Sequence, residues 1–128
     1  MIVDSSALVA IVRAEPGHEA LVERLGSASR PAVGAPTLVE TGLVLESRLG
    51  PAGRSLLARL LTDTSVSTIP FGAEHARIAV DAFTRFGKGR HPAGLNYGDC
   101  MTYATAKVAK EPLLALGADF AATDVELA

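Results

Sequence analysis

Along this chain, short apolar runs alternate with helical stripes, and that alternation predicts the order of its elements. Ile2 and Val3 make a brief apolar stretch, read as a buried first strand. From Ser5 or Ser6 to Val12 the chain is apolar nearly all round, which predicts a buried helix. After Pro16 and Gly17, Leu21, Val22 and Leu25 mark one face of a second helix, with Glu19, Glu23 and Arg24 on the other. PAVGAP (residues 31–36) reads as a short strand ended by Pro36, and a longer helix follows from Thr37 to Leu49, striped by Leu38, Leu45 and Leu49. Gly50 and Pro51 punctuate it, and Leu56, Leu57, Leu60 and Leu61 outline the next helix. SVSTIPF (residues 65–71) is rich in β-formers and reads as a strand. Ala76, Ala79, Val80, Phe83 and Phe86 return to helical spacing, Gly87 to Gly94 is a Gly/Pro-rich loop, and a helix runs from about Tyr97 to Lys110. PLLAL (residues 112–116) is a final buried strand.

Strands alternating with helices predict an α/β fold with a mostly parallel sheet. At 128 residues the chain fits one domain, and its 48% hydrophobic and 20% charged content is that of a globular protein. No apolar run approaches the ~18 residues of a membrane span. The N-terminus lacks a basic stretch and carries Asp4 where a secretory leader would be apolar. Cys100 is the single cysteine, so no internal disulfide framework forms, and a cytoplasmic location is expected. The net charge of −2 argues against indiscriminate nucleic-acid binding, although RFGKGRH gathers Arg85, Lys88, Arg90 and His91 into one basic segment. Neither Gly-rich phosphate signature is present: GPAGRS lacks the P-loop lysine, and GKG lacks the third glycine of a dinucleotide fingerprint.

Candidate chemistry lies with four acids. Ligands in open parallel sheets bind outside the carboxyl ends of the strands. Asp4 follows the first strand, Glu40 lies one turn into the helix after PAVGAP, Asp99 is in the first turn of its helix, and Asp119 follows PLLAL by three residues. Each has an ordinary structural role open to it. Asp4 suits a helix cap, Thr37 to Glu40 matches a capping box, Asn96 to Asp99 is a looser version of one, and Asp119 suits a turn. Convergence weakens those readings, because two carboxylates about 4 Å apart repel by ~4 kcal/mol at an effective dielectric near 20. An oxygen-only set suits a hard ion, Mg²⁺ or Mn²⁺. His18, His75 and His91 have no paired spacing, so zinc is a poor fit.

MIVDSSALVAI, APTLVETGLVLE, GRHPAGLNYGDCMTYATAKV and PLLALGADFAATD, in that order over essentially the whole chain, resemble the PIN-domain ribonucleases. More narrowly, they resemble the VapC toxins of bacterial toxin–antitoxin pairs. The resemblance implies a PIN-like three-layer α/β/α sandwich, commonly a homodimer, and Mg²⁺- or Mn²⁺-dependent cleavage of RNA phosphodiester bonds. It makes Asp4, Glu40 and Asp99 three acids of the site, with Asp4, Asp99 and Asp119 as metal ligands. Relatives often read GDDF where this chain has Gly117-Ala118-Asp119-Phe120, so one of two adjacent acids is missing. Asp119 is the expected fourth acid, with Asp124 a partial substitute if the missing position served. Ser6 and Asn96 are expected to hold carboxylates in place, and Arg85, Lys88 and Arg90 to meet flanking RNA phosphates. The implied partner is a VapB-type antitoxin covering the acidic groove, with the helices around Leu8, Ile11, Leu43 and Leu45 as candidate contacts.

Two other readings compete. A PIN-like module without activity would act only through protein partners, and Ala118 is the departure that suggests it. A phosphoacceptor domain of the receiver type wants an acid pair after the first strand and a lysine after a late one, whereas here serines follow Asp4 and Gly117 follows PLLAL.

Overall fold

The computed structural model describes residues 1–128. The elements are β1 (Ile2–Val3), α1 (Ser5–Val12), α2 (His18–Ser27), β2 (Ala32–Gly34), α3 (Ala35–Leu49), α4 (Pro51–Asp63), β3 (Ser67–Ile69), α5 (Ala73–Phe86), α6 (Tyr97–Ala109) and β4 (Leu113–Leu114). A single 3-10 turn follows at Phe120–Ala122. The strands lie side by side in the order β3-β2-β1-β4, and each pairing is parallel. Near the C-terminus the chain returns to this sheet: Leu127 forms a parallel bridge with Leu113, whose N–H donates to the Glu126 carbonyl at 2.8 Å.

Successive side chains of a strand point to opposite faces, and this makes the three layers. Ile2, Ala32 and Leu113 enter a core shared with Ala79 and Phe86 of α5 and with Tyr103 and Ala104 of α6. Their neighbours Val3, Val33 and Leu114 enter the opposite core, with Ala7 and Leu8 of α1 and Leu21 and Leu25 of α2. The result is the α/β/α sandwich expected, with a sheet that is wholly parallel. No helix is long and apolar enough to cross a membrane.

Two local expectations change. Pro36 does not end β2 but stands in the first turn of α3, where a missing N–H sacrifices no intrahelical bond. The helix therefore starts at Ala35, with Gly34 as its cap, and the Thr37–Glu40 capping box does not form. Glycine is needed at 34 because α6 passes close by: a Cβ there would stand 2.5 Å from the Thr105 hydroxyl. The strands are also shorter than SVSTIPF and PLLAL. Leu116 has already left the sheet, and its N–H donates to the Ser6 hydroxyl at 3.0 Å.

Candidate active site

Asp4 leaves β1 and caps α1, so one residue both starts a helix and stands at the carboxyl edge of the sheet. Its Oδ2 accepts from the Ser6 backbone N–H at 3.0 Å, and its Oδ1 accepts from the Thr102 hydroxyl at 2.6 Å. Because Thr102 gives its proton to Asp4, the Thr37 hydroxyl must be the donor in the 3.0 Å Thr37–Thr102 contact. Thr41 then donates to the Thr37 carbonyl at 2.7 Å. All four residues are buried, and a buried carboxylate is tolerated only when its oxygens are hydrogen-bonded. Sequence reasoning missed this threonine relay. Its faint signal is the placing of hydroxyls at Thr37, Thr41 and Thr102 on helix faces that otherwise pack as core.

Asp99 and Asn96 form a reciprocal box at the start of α6. The Asp99 N–H donates to Asn96 Oδ1 at 2.9 Å, and the Asn96 N–H donates to Asp99 Oδ2 at 3.1 Å. Burial pushes the Asp99 carboxyl up to about 6; the Asn96 N–H opposes the rise, and the charges of Asp4, Asp119 and Glu40 add to it. All three other acids thus act on Asp99 across one edge of the sheet. Glu40 reaches this edge from α3 by lying against the backbone of α6, so closely that a Cβ on Gly98 would stand 2.2 Å from its Oε2. Asp119 lies beyond β4, exposed, with no side-chain capping bond.

Ser6 and Asn96 touch the acids through their backbone N–H groups. Backbone N–H groups bind both carboxylates, while the Ser6 hydroxyl accepts from Leu116 and the Asn96 amide oxygen from the Asp99 N–H. Helix-start geometry explains both: Asp4, the cap of α1, receives a first-turn N–H, and Asp99, the third residue of α6, reaches back to the N–H of its cap Asn96.

Asp124 does not join the four. It accepts from the Tyr103 hydroxyl at 2.6 Å, pairs with Lys107 at 3.3 Å and with Arg85 at 3.4 Å. Lys107 lies eight residues beyond Asp99 on α6, or roughly 12 Å along the axis. Burial alone would raise the Asp124 carboxyl, but its bonds from Tyr103 and Lys107, with the nearby charges of Lys107 and Arg85, bring it below the usual range. Asp124 is therefore engaged with Tyr103, Lys107 and Arg85. Arg85 is held by Asp124 and lies over Phe86, Arg90 lies over Phe83, and Lys88 is exposed in the loop between α5 and α6. Of the apolar contact candidates, Leu8 and Leu45 are wholly buried core, Ile11 is half-buried, and Leu43 is exposed.

The chemistry of the donor set fits a hard divalent cation. It offers oxygen alone, for each histidine is engaged elsewhere: His18 with the Glu15 carbonyl, His75 with the Gly72 N–H and His91 with the Ala93 N–H. As the acids stand, no three close up into a chelating group, and their like charges oppose nearer approach. A cation would reverse that balance.

The chain matches the PIN domain family over residues 1–126. It is 50% identical over 127 residues to Ribonuclease VapC36 of Mycobacterium tuberculosis, covering 98% of this chain and 91% of that one. Its fold is similar to that of the sarcin-ricin loop cleaving toxin VapC20 of Mycobacterium tuberculosis, with a TM-score of 0.78 at 20% identity over 97% of this chain and 95% of that one. It is equally similar, at 15% identity, to VapBC2 of Rickettsia felis, solved bound to a promoter DNA fragment, with 99% and 96% of the two chains covered.

Proposed function

We propose a chemistry for a chain that belongs to the PIN-domain family and, within it, to the VapC ribonucleases. It is an endoribonuclease toxin of the cytoplasm that hydrolyses RNA phosphodiester bonds with Mg²⁺, or Mn²⁺ in its place, and is neutralised by a VapB-type antitoxin. The observation that carries this reading is the meeting of Asp4, Glu40 and Asp99 around the start of α6, where Asp4 accepts from Thr102 and Glu40 lies against Gly98. Asp4, Asp99 and Asp119 would hold the ion. When bound, the ion supplies positive charge to the scissile phosphate and acidifies a water. Asp4 is presented in a fixed orientation by Ser6 and Thr102, which leaves its remaining lone pairs free. Glu40, seated against α6, orients the attacking water and accepts its proton at the carboxylate. Lys88, Arg85 and Arg90 supply a basic approach for flanking phosphates, Lys88 being the one with neither an ion pair nor a ring beneath it. Two chains form the working homodimer.

The test is to induce the chain alone in cells, and separately Asp99→Asn, and to map new RNA 5′ ends across the transcriptome. Discrete ends that need Asp99 and vanish on co-expression of the antitoxin support the reading. No new ends from a soluble, folded parent chain would favour the inactive binding module instead.

A further inference from the structure

The loop between α5 and α6 is pinned at its neck beside the acids. Leu95 bridges to Gly87, its N–H donates to the Phe86 carbonyl at 2.9 Å, and its carbonyl accepts from the Lys88 N–H at 2.9 Å. The next residue, Asn96, caps α6 and gives its N–H to Asp99. From Ala82 to Gly98 the chain carries no carboxylate, yet it holds Arg85, Lys88, Arg90 and His91.

His91 is set differently from its basic neighbours. Its N–H donates to the Gly87 carbonyl at 3.1 Å and its carbonyl accepts from the Gly94 N–H at 3.0 Å, so the backbone is tied on both sides. The ring is tied as well. Nδ1 accepts from the Ala93 N–H at 3.0 Å, and the ring stands perpendicular to that of Phe86 with centroids 5.2 Å apart. A backbone amide can only donate, so Nδ1 carries no proton and the neutral ring keeps its hydrogen on Nε2. That N–H has no partner in the chain and, on a half-buried residue, is open to solvent; in His75, where the Gly72 N–H fixes the same tautomer, Nε2 is enclosed. His91 therefore presents one donor in a fixed orientation, whereas Lys88 ends a flexible stem and Arg85 is held by Asp124.

Its place indicates what it meets. Phe86, beneath the ring, packs against Tyr103 at 5.9 Å, and Tyr103 lies four residues, or roughly 6 Å, along α6 from Asp99. The donor is thus offset from the acids rather than among them, in surroundings of positive charge. A neutral N–H there suits an anionic oxygen, and the charge of that oxygen strengthens the bond.

We infer that His91 Nε2–H donates to the phosphate next to the scissile one and fixes the register in which the strand enters the site. The inference rests on the ribonuclease reading above and adds a substrate-positioning residue to it. Such a contact carries no sequence information but decides which bond faces the acids. Because the ring is neutral it displaces no counterion, so it adds affinity without adding to the salt dependence.

The experiment uses the purified chain with Mg²⁺ and an RNA oligonucleotide spanning a cleavage site mapped in cells. Asparagine can set its amide oxygen near the place of Nδ1, and glutamine its amide N–H near that of Nε2, so the two variants separate loop-holding from donation. His91→Asn is expected to raise KM roughly tenfold or more, with kcat and the slope of log KM against log salt unchanged, while His91→Gln recovers most of the loss. Lys88→Ala should instead flatten that slope by about 1. With uncharged methylphosphonates placed singly at the phosphates flanking the cut, one position should cost the parent chain the same factor and cost His91→Asn nothing further. Parental KM in His91→Asn would overturn the inference, as would losses that multiply at every position, or KM losses in both variants that follow their losses in Tm. A fall in kcat with KM unmoved would also overturn it, because the ring would then act at the reacting atoms. If His91→Asn weakens antitoxin binding alone, the donor serves that protein and the inference fails. Should both variants unfold, the parent chain still decides: indifference to every flanking methylphosphonate refutes the contact. Asp99→Asn serves as the separate control, because cleavage surviving in that variant would sink the ribonuclease reading itself and leave His91 aside.

Discussion

Replacing Gly98 with alanine should separate stability from activity. The position is in the first turn of α6, where alanine is favoured over glycine by up to about 1 kcal/mol. On backbone grounds the substitution should be neutral or stabilising. The added methyl, however, would stand 2.2 Å from Glu40 Oε2 and 2.8 Å from both Oε1 and the carboxyl carbon. Carbon contacts are comfortable only near 3.5–4.0 Å, so the carboxylate must withdraw by roughly 1 Å or more. Glu40 ends a flexible side chain on the outer part of α3, and it can withdraw without disturbing either helix. A displacement of about 1 Å at a reacting group costs on the order of 10²-fold in rate. Gly98→Ala is therefore expected to melt at or above the parental Tm by calorimetry. Its single-turnover cleavage at saturating Mg²⁺ should fall about a hundredfold, close to the value for Glu40→Gln. Parental cleavage by a folded Gly98→Ala would refute the reasoning, because the place of Glu40 against α6 would then be irrelevant to the chemistry.

Four further outcomes follow from the same geometry. Thr102→Val removes the donor to buried Asp4 and should cost about 2 kcal/mol in urea unfolding, with a raised Mn²⁺ midpoint in a metal-induced Tm titration, both restored by Thr102→Ser; a stability loss with an unmoved midpoint would detach the relay from the site. Asp99 has a folded value of about 6 against an ordinary 3.8, so the metal-free folded chain binds its proton more tightly than the unfolded chain. That contribution is complete below the unfolded value and is lost as pH rises through the folded one. Asp99→Asn should accordingly gain stability over the parent between about pH 4 and 7 in denaturation series with EDTA, and a constant difference across that window would contradict the assignment. The same proton should leave on Mn²⁺ binding near pH 5.5 and be absent near pH 8, read by calorimetry in two buffers of different ionisation heat. Asp124→Asn should lose less than about 1 kcal/mol, as expected of a partly exposed ion pair, and cleave RNA at the parental rate; a marked loss of cleavage would return Asp124 to the site.

Local pattern made most of the architecture legible. Ile2-Val3, with Leu113-Leu114 far along the chain, announced buried strands, and the helical stripes between them required the crossovers of a parallel sheet. The start of α3 was less visible, because proline in a first helical turn and proline ending a strand look alike until Gly34 is seen beneath α6. At the site, Asp4, Glu40, Asp99 and Asp119 could be placed on one edge from their distance to strand ends, which depends on topology alone. The relay from the Thr37 hydroxyl through Thr102 to Asp4 could not. It joins residues from α3, α6 and the β1–α1 junction, and no spacing in one dimension encodes a contact between faces of two helices. The pairing of Asp124 with Lys107 was invisible for the same reason, since Asp124 is close to Asp119 in number but held beside Lys107 in space.

The central strand β1 is synthesised first, yet its neighbours on the two sides are β2 and β4, the latter more than a hundred residues later. Asp4 thus emerges at the outset and waits for α6 to deliver Thr102 and Asp99, and for the segment beyond β4 to deliver Asp119. Leu116, by donating to Ser6, ties that late segment back to the start of α1. A nascent chain short of residue 119 therefore has three of the four acids but not the last, and this edge of the sheet is complete only once the segment beyond β4 has been made.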